Sequence, residues 1–96
     1  MTSAPARPDS PSLEHVILDL CAAAGPDRSI NPTDAAQAYA AARGEDALAW
    51  RSHLSGVRAA AVRLAEAGRL VIFRKGKPAD PSDFRGVYRL GAPRVE

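Results

Sequence analysis

The chain is poor in the residues that most often carry chemistry. Its 96 residues include one cysteine, two histidines, two lysines and five aromatic side chains. A lone Cys21 excludes an intrachain disulfide, and it lies beside an apolar helical stripe, where a thiol acts as a small hydrophobe. His15 and His53 belong to no His-x-x-x-His, Cys-x-x-Cys or His-Glu pair at ligand spacing, so neither a metal nor a cofactor is expected. The seven glycines are scattered and form no phosphate-cradling loop. No base stands near Cys21 in the pattern to make it a nucleophile. Catalytic residues are therefore not assigned, and an enzyme is not expected. No run approaches the roughly 18 apolar residues of a membrane span, and the N-terminus lacks a charged-then-apolar signal. These two absences point to a soluble cytoplasmic chain with no membrane partner.

What is abundant is alanine and arginine. The apolar fraction is 46%, but alanine supplies much of it, which predicts a small, tightly helical core of modest stability. The net charge of +2 hides an asymmetry. Residues 1–50 carry three arginines against seven acids, for −4, whereas residues 51–96 carry ten basic residues against four acids, for +6. A split of this kind suits one basic face turned toward a polyanion. The excess of arginine over lysine also fits a GC-rich coding sequence, so composition alone leaves the partner open.

The order of elements is more informative. Residues 1–10 hold Pro5 and Pro8 without apolar periodicity and read as a disordered tail. Ser10 or Ser12 caps a first helix, with Pro11 in its first turn and Leu13, Val16, Ile17, Leu20 and Ala24 on one stripe. Gly25-Pro26 ends it. Ser29-Ile30 is short and extended, and Asn31-Pro32-Thr33-Asp34 starts a second helix: Asn31 caps, Pro32 fits the first helical position and Asp34 meets the dipole. Ala36, Tyr39 and Ala40 are its predicted inward positions. Asp46 caps a long third helix over 47–67, in which Trp50, Leu54, Val57, Ala61 and Leu64 form one stripe, with a bend expected at Ser55-Gly56.

Gly68 stands where a left-handed cap residue is wanted, and the β-branched and aromatic run Leu70–Arg74 follows at once as a strand. Val87-Tyr88-Arg89-Leu90 is the returning strand. The turn-rich span Lys75–Gly86 lies between them, with Gly76, Pro78, Asp80, Pro81 and Ser82 as turn residues. This order predicts an α+β, mainly α domain over 11–91: a winged helix-turn-helix with three main helices and a two-stranded β-hairpin wing. Residues 92–96 are a C-terminal tail.

Several of these residues carry a resemblance. Ser29-Ile30-x-Pro32-Thr33-Asp34-x-Ala36, Trp50-Arg51, Val57-Arg58-x-Ala60-Ala61-x-x-Leu64-x-x-x-Gly68, Lys75-Gly76-x-Pro78-x-Asp80-Pro81 and Arg85-Gly86 together resemble bacterial domain-of-unknown-function family 3253. The resemblance spans about residues 13 to 90. It implies a short chain of winged-helix-like fold and carries no activity with it. A cysteine often stands in that family where this chain has Asn31, which argues against an essential thiol or metal there.

With the 50–64 stripe facing the core, helical geometry fixes what faces outward. Arg51 and Arg58 share one flank, Arg63 and Ser52 the other, and Ser55, Ala59, Val62 and Glu66 lie along the centre. Arginines on the flanks suit phosphates on either side of a major groove, and Arg74, Lys75, Lys77 and Arg85 of the wing extend the contact. The centre lacks the Arg, Asn or Gln that read base edges. The nucleic-acid-binding set is thus Arg51, Ser55, Arg58, Arg63, Arg74, Lys75, Lys77 and Arg85, holding double-stranded DNA by its backbone with weak sequence specificity, as a transcriptional regulator would. The same surface leaves an alternative open. Ala59 and Val62, rimmed by Arg58 and Arg63, also suit a protein–protein adaptor surface, and Arg63 is spaced to pair with Glu66 on a merely solvated face.

Overall fold

The computed structural model describes residues 12–93, so the tail positions 1–11, including Pro11 and Ser10, and 94–96 lie outside the described residues. The architecture is α+β. Helices α1 (Leu13–Ala24), α2 (Pro32–Ala42) and α3 (Leu54–Glu66) pack beside an antiparallel sheet of β1 (Ser29–Ile30), β2 (Val71–Arg74), β3 (Lys77–Pro78) and β4 (Arg89–Gly91), in the order β1-β4-β2-β3. Among the described residues no helix is long and apolar enough to cross a membrane.

Local chemistry explains the helix boundaries. The Ser12 side chain accepts the His15 amide at 3.1 Å and starts α1. Asn31 caps α2 through the Thr33 amide at 3.0 Å, and the Asp34 carboxylate reaches back to the Asn31 amide at 3.2 Å. That reciprocal pair satisfies two donors that the helix itself cannot. Both α2 and α3 end in the same way. Gly44 and Gly68 adopt positive φ, and the amide of the residue after each returns to a carbonyl one turn back: Glu45 to Ala40 at 3.0 Å and Arg69 to Leu64 at 2.8 Å. This closure leaves the last carbonyls partnered and turns the chain sharply. It is why α3 leads straight into β2.

The core lies between the three helices and one face of the sheet. Ile17 and Cys21 of α1, Ala35 and Ala36 of α2, and Val57, Ala60, Ala61 and Leu64 of α3 meet Ile30, Ile72, Phe84 and Leu90. Four of these side chains are alanines, which lets the helices approach closely and leaves the larger aliphatics to fill the layer under the sheet. Cys21 is buried in the core, as expected of a small hydrophobe beside the α1 stripe. In α2 the fully buried positions are Ala35, Ala36 and Ala40, while Tyr39 is half-buried against His53 with ring centroids 4.9 Å apart.

Three expectations are corrected. The single helix over 47–67 is instead a 3-10 turn, Ala49–His53, running into α3. The Ser52 hydroxyl bonds the Ala49 carbonyl at 2.9 Å within the tight turn. A 3-10 turn winds about 120° per residue rather than 100°, so the stripe drawn from Trp50 loses register. Trp50 is accordingly only partly buried, whereas Leu54, the first residue of α3, keeps the register of the stripe but lies at its open end and is 36% exposed. The returning strand begins at Arg89 rather than Val87, whose carbonyl accepts from the Arg74 guanidinium at 2.7 Å and whose side chain is 81% exposed. Finally, the expected two-stranded hairpin is part of a four-stranded sheet. Ser29 and Ile30 pair with Gly91 and Leu90, and Lys77–Pro78 folds back on β2 across a two-residue turn in which Lys75 and Gly76 both have positive φ.

Candidate functional site

The basic residues expected to meet nucleic acid fall into two groups by their partners. Arg58, on α3, is committed to the fold. Its guanidinium lies 3.9 Å from the centre of the Phe84 ring, donates to the Phe84 carbonyl at 2.7 Å and sits 5.8 Å from the Tyr88 ring. Arg63 pairs with Glu14 of α1 at 2.9 Å rather than with Glu66 in its own helix. Arg74 is half-buried and holds the Val87 carbonyl. The positive charge of Arg63 is locally neutralised. Those of Arg58 and Arg74 are not, because their bonds run to neutral carbonyls, but their side chains are fixed in place.

The second group is free to meet a ligand. Lys75, Lys77 and Arg85 are exposed and make no side-chain hydrogen bond or ion pair among the described residues. Arg51 is exposed beside Trp50, 5.6 Å from its ring. Ser55 is exposed near the start of α3. The β2–β3 turn thus presents Lys75 and Lys77 together at its tip, with Arg85 on the segment that returns toward β4. Of the two centre residues assigned to a protein contact, Ala59 is exposed, whereas Val62 is half-buried and packs against the core.

Two grooves flank the segment leading into β4. One, of about 480 Å³, is bounded by Asn31, Pro32 and Thr33 at the start of α2, Leu54, Ser55 and Arg58 on α3, and Gly86, Val87 and Tyr88. The other, of about 590 Å³, lies between the start of β1 and the β2–β3 turn and includes Arg28, Lys75, Tyr88 and Arg89. Arg28, Val87, Tyr88 and Arg89 were not singled out from the sequence as site residues. The spacing that joins them is the β1–β4 pairing across 60 residues, where Arg89 donates to the Ser29 hydroxyl at 2.7 Å and carbonyl at 2.9 Å. No local pattern signals that pairing.

Both histidines have acidic partners. His53 meets Glu45 at 2.7 Å, and Arg43 meets the other Glu45 oxygen at 2.8 Å, tying the end of α2 to the 3-10 turn. The Arg43 bond first, and the His53 bond after it, hold the Glu45 carboxyl below the usual carboxylate range. His15 stands 3.2 Å from Asp19, one turn along α1 on the surface. Among the described residues no group of three His, Cys, Asp or Glu side chains is placed to hold a metal ion.

Burial pushes the Cys21 thiol up to about 11, so the reactive thiolate is scarce near neutral pH. Native protein at about pH 8 should therefore resist alkylation by iodoacetamide, while the same protein in denaturant is labelled at once. Labelling of the native protein at the denatured rate would place Cys21 outside the core.

A comparison with curated proteins finds no match. The family comparison does: a family model covers residues 10–93, which include every described residue, in agreement with the resemblance carried by the 29–36, 57–68 and 75–86 motifs. The chain belongs to the family described as "Protein of unknown function (DUF3253)".

Proposed function

We propose that the protein is a winged helix-turn-helix module that binds double-stranded DNA through its backbone, with weak sequence selectivity. The order helix, strand, helix, helix, hairpin supports the fold assignment, with α2 and α3 as the helix-turn-helix pair and the β2–β3 turn with the segment to β4 as the wing. The observation that carries the reading is the wing tip. Lys75 and Lys77 stand there exposed and unpaired among the described residues, on the same half of the chain as Arg85 and the exposed face of α3. That face offers Ser55 and Ala59, neither of which reads a base edge bidentately.

Arg51, Lys75, Lys77 and Arg85 are the four exposed cations of this surface that we assign to phosphates, with Arg58 and Arg74 adding to the field from fixed positions. Neutralising about four phosphates on B-DNA gives a slope of log K against log salt near −3.6. Titrating an arbitrary duplex at several salt concentrations should return that slope. Lys77→Ala with Arg85→Ala should weaken all duplexes alike and shallow the slope by about 1.8. No binding at low salt, or binding that ignores salt, overturns the proposal.

A second reading, a protein-interaction adaptor, is favoured by one observation: Val87 and Leu54 leave apolar surface open beside the groove of about 480 Å³. It places the contact there rather than at Val62, and it requires duplex affinity to be absent from the start.

A further inference from the structure

The groove between the start of β1 and the β2–β3 turn has a composition that the duplex reading does not use. Its volume of about 590 Å³ is in the range that encloses small ligands. Arg28, Lys75 and Arg89 line it against one carboxylate, Asp27. Arg89 is set in place by two bonds to Ser29, at 2.7 and 2.9 Å, and both acceptors are uncharged. Its positive charge is therefore held in position without being neutralised, so little ordering cost remains when an anion arrives. Tyr88 and Phe73 contribute to the same lining, and the exposed Val87 stands at its margin.

One fixed cation with two exposed ones, beside aromatic and apolar surface, matches a phosphate joined to a planar base. The phosphate meets Arg28, Lys75 and Arg89, and the base packs on Tyr88 and Val87. A base inside a duplex has both faces covered by its stacked neighbours. Only an unpaired nucleotide can offer such a face. We infer that this groove binds a nucleotide with an unpaired base, as a unit of single-stranded nucleic acid or as a free mononucleotide. The inference rests on the nucleic-acid reading for its class of partner, but on different residues: Arg28, Val87 and Arg89 lie outside the duplex set, and only Lys75 is shared. The protein would then hold a duplex by the wing tip and an unpaired nucleotide beside it, as at a melted or single-stranded junction.

The test is fluorescence anisotropy with a labelled oligothymidylate of about twelve nucleotides, set beside a labelled duplex. The variants are Arg28→Ala with Val87→Ser, Lys77→Ala with Arg85→Ala, and Arg69→Ala as an exposed charge control outside the groove. The groove pair should weaken oligothymidylate binding at least about tenfold, and Arg69→Ala by less than about twofold. Lys77→Ala with Arg85→Ala should act mainly on the duplex. Unlabelled thymidine monophosphate separates the sources: displacement of the oligonucleotide assigns the groove to a free nucleotide, and failure to displace assigns it to a strand. Duplex binding without oligothymidylate binding overturns the groove and leaves the duplex reading standing. Oligothymidylate binding that the groove pair and Arg69→Ala weaken equally reduces the effect to bulk charge and also overturns the groove. Oligothymidylate binding lost with the groove pair, without any duplex binding, supports the groove and overturns the duplex reading.

Discussion

Leu90→Ala should lower the unfolding free energy by about 3–4 kcal/mol. Leu90 has no exposed surface and sits in β4, the strand between β1 and β2, opposite Ile30 on one side and Ile72 on the other. Beneath it lie the side chains of α1, which contacts β4 directly. Truncation removes the transfer energy of the deleted carbons and leaves a cavity bounded by three elements that cannot all collapse into it. A domain of this size has only about 5–15 kcal/mol in total, and an alanine-rich core places this one toward the lower end. The loss should appear in urea melts as a lower midpoint with an unchanged slope. Val87→Ala is the control. Sequence pattern puts Val87 in the same strand as Leu90, but at 81% exposure its truncation should change stability by less than about 0.5 kcal/mol. A similar loss in both variants would mean that β4 does not occupy the centre of the sheet.

That contrast shows which parts of the fold the residues announce locally. Ser12, Asn31 with Asp34, and Gly68 each act on backbone groups within a few positions, so their roles follow from residue type and spacing. Leu70 to Arg74 reads as a strand for the same reason, because its β-branched run follows a helix terminator. Failures come where the deciding partner is distant. The pairing of Ser29 with Arg89 bridges 60 residues, and without it Val87 looks as good a strand residue as Leu90. At Ala49–His53 the 3.6-residue stripe continues plausibly through Trp50, and nothing in the spacing distinguishes a 3-10 turn from the first turns of a longer helix. The candidate site divides in the same way. That Lys75 and Lys77 stand at a turn is legible from Lys75-Gly76-Lys77-Pro78. That Arg63 is spent on Glu14, and Arg58 on Phe84, is not, since those partners lie 49 and 26 positions away.

Arg58 is where the two kinds of role can be separated, and Arg58→Ala should cost about 2 kcal/mol of stability. Helical geometry alone puts Arg58 on the flank of α3, among the expected phosphate contacts. In the folded chain its guanidinium stacks 3.9 Å above Phe84 and donates to the Phe84 carbonyl at 2.7 Å, fastening the segment between β3 and β4 onto α3. Stacking of this kind contributes about 0.5–2 kcal/mol, and a hydrogen bond from a charged donor about 1.5–3 kcal/mol. Side-chain exposure and the coupling of the two through one guanidinium keep the total below their sum. For a domain of this size about 2 kcal/mol lowers the melting temperature by roughly 8–16 °C. Arg58→Lys keeps the charge but loses the planar fork that stacks and donates together, so it should recover less than half of the loss. Lys77→Ala, by comparison, should leave the melting temperature within about 2 °C while weakening the duplex binding proposed above. If Arg58→Ala melts like the parent and Arg58→Lys restores DNA affinity in full, Arg58 acts as a phosphate contact and not as the fastening of the segment between β3 and β4. If instead both variants lose stability, any weakening of the proposed DNA binding follows from a loosened segment between β3 and β4, which carries Arg85.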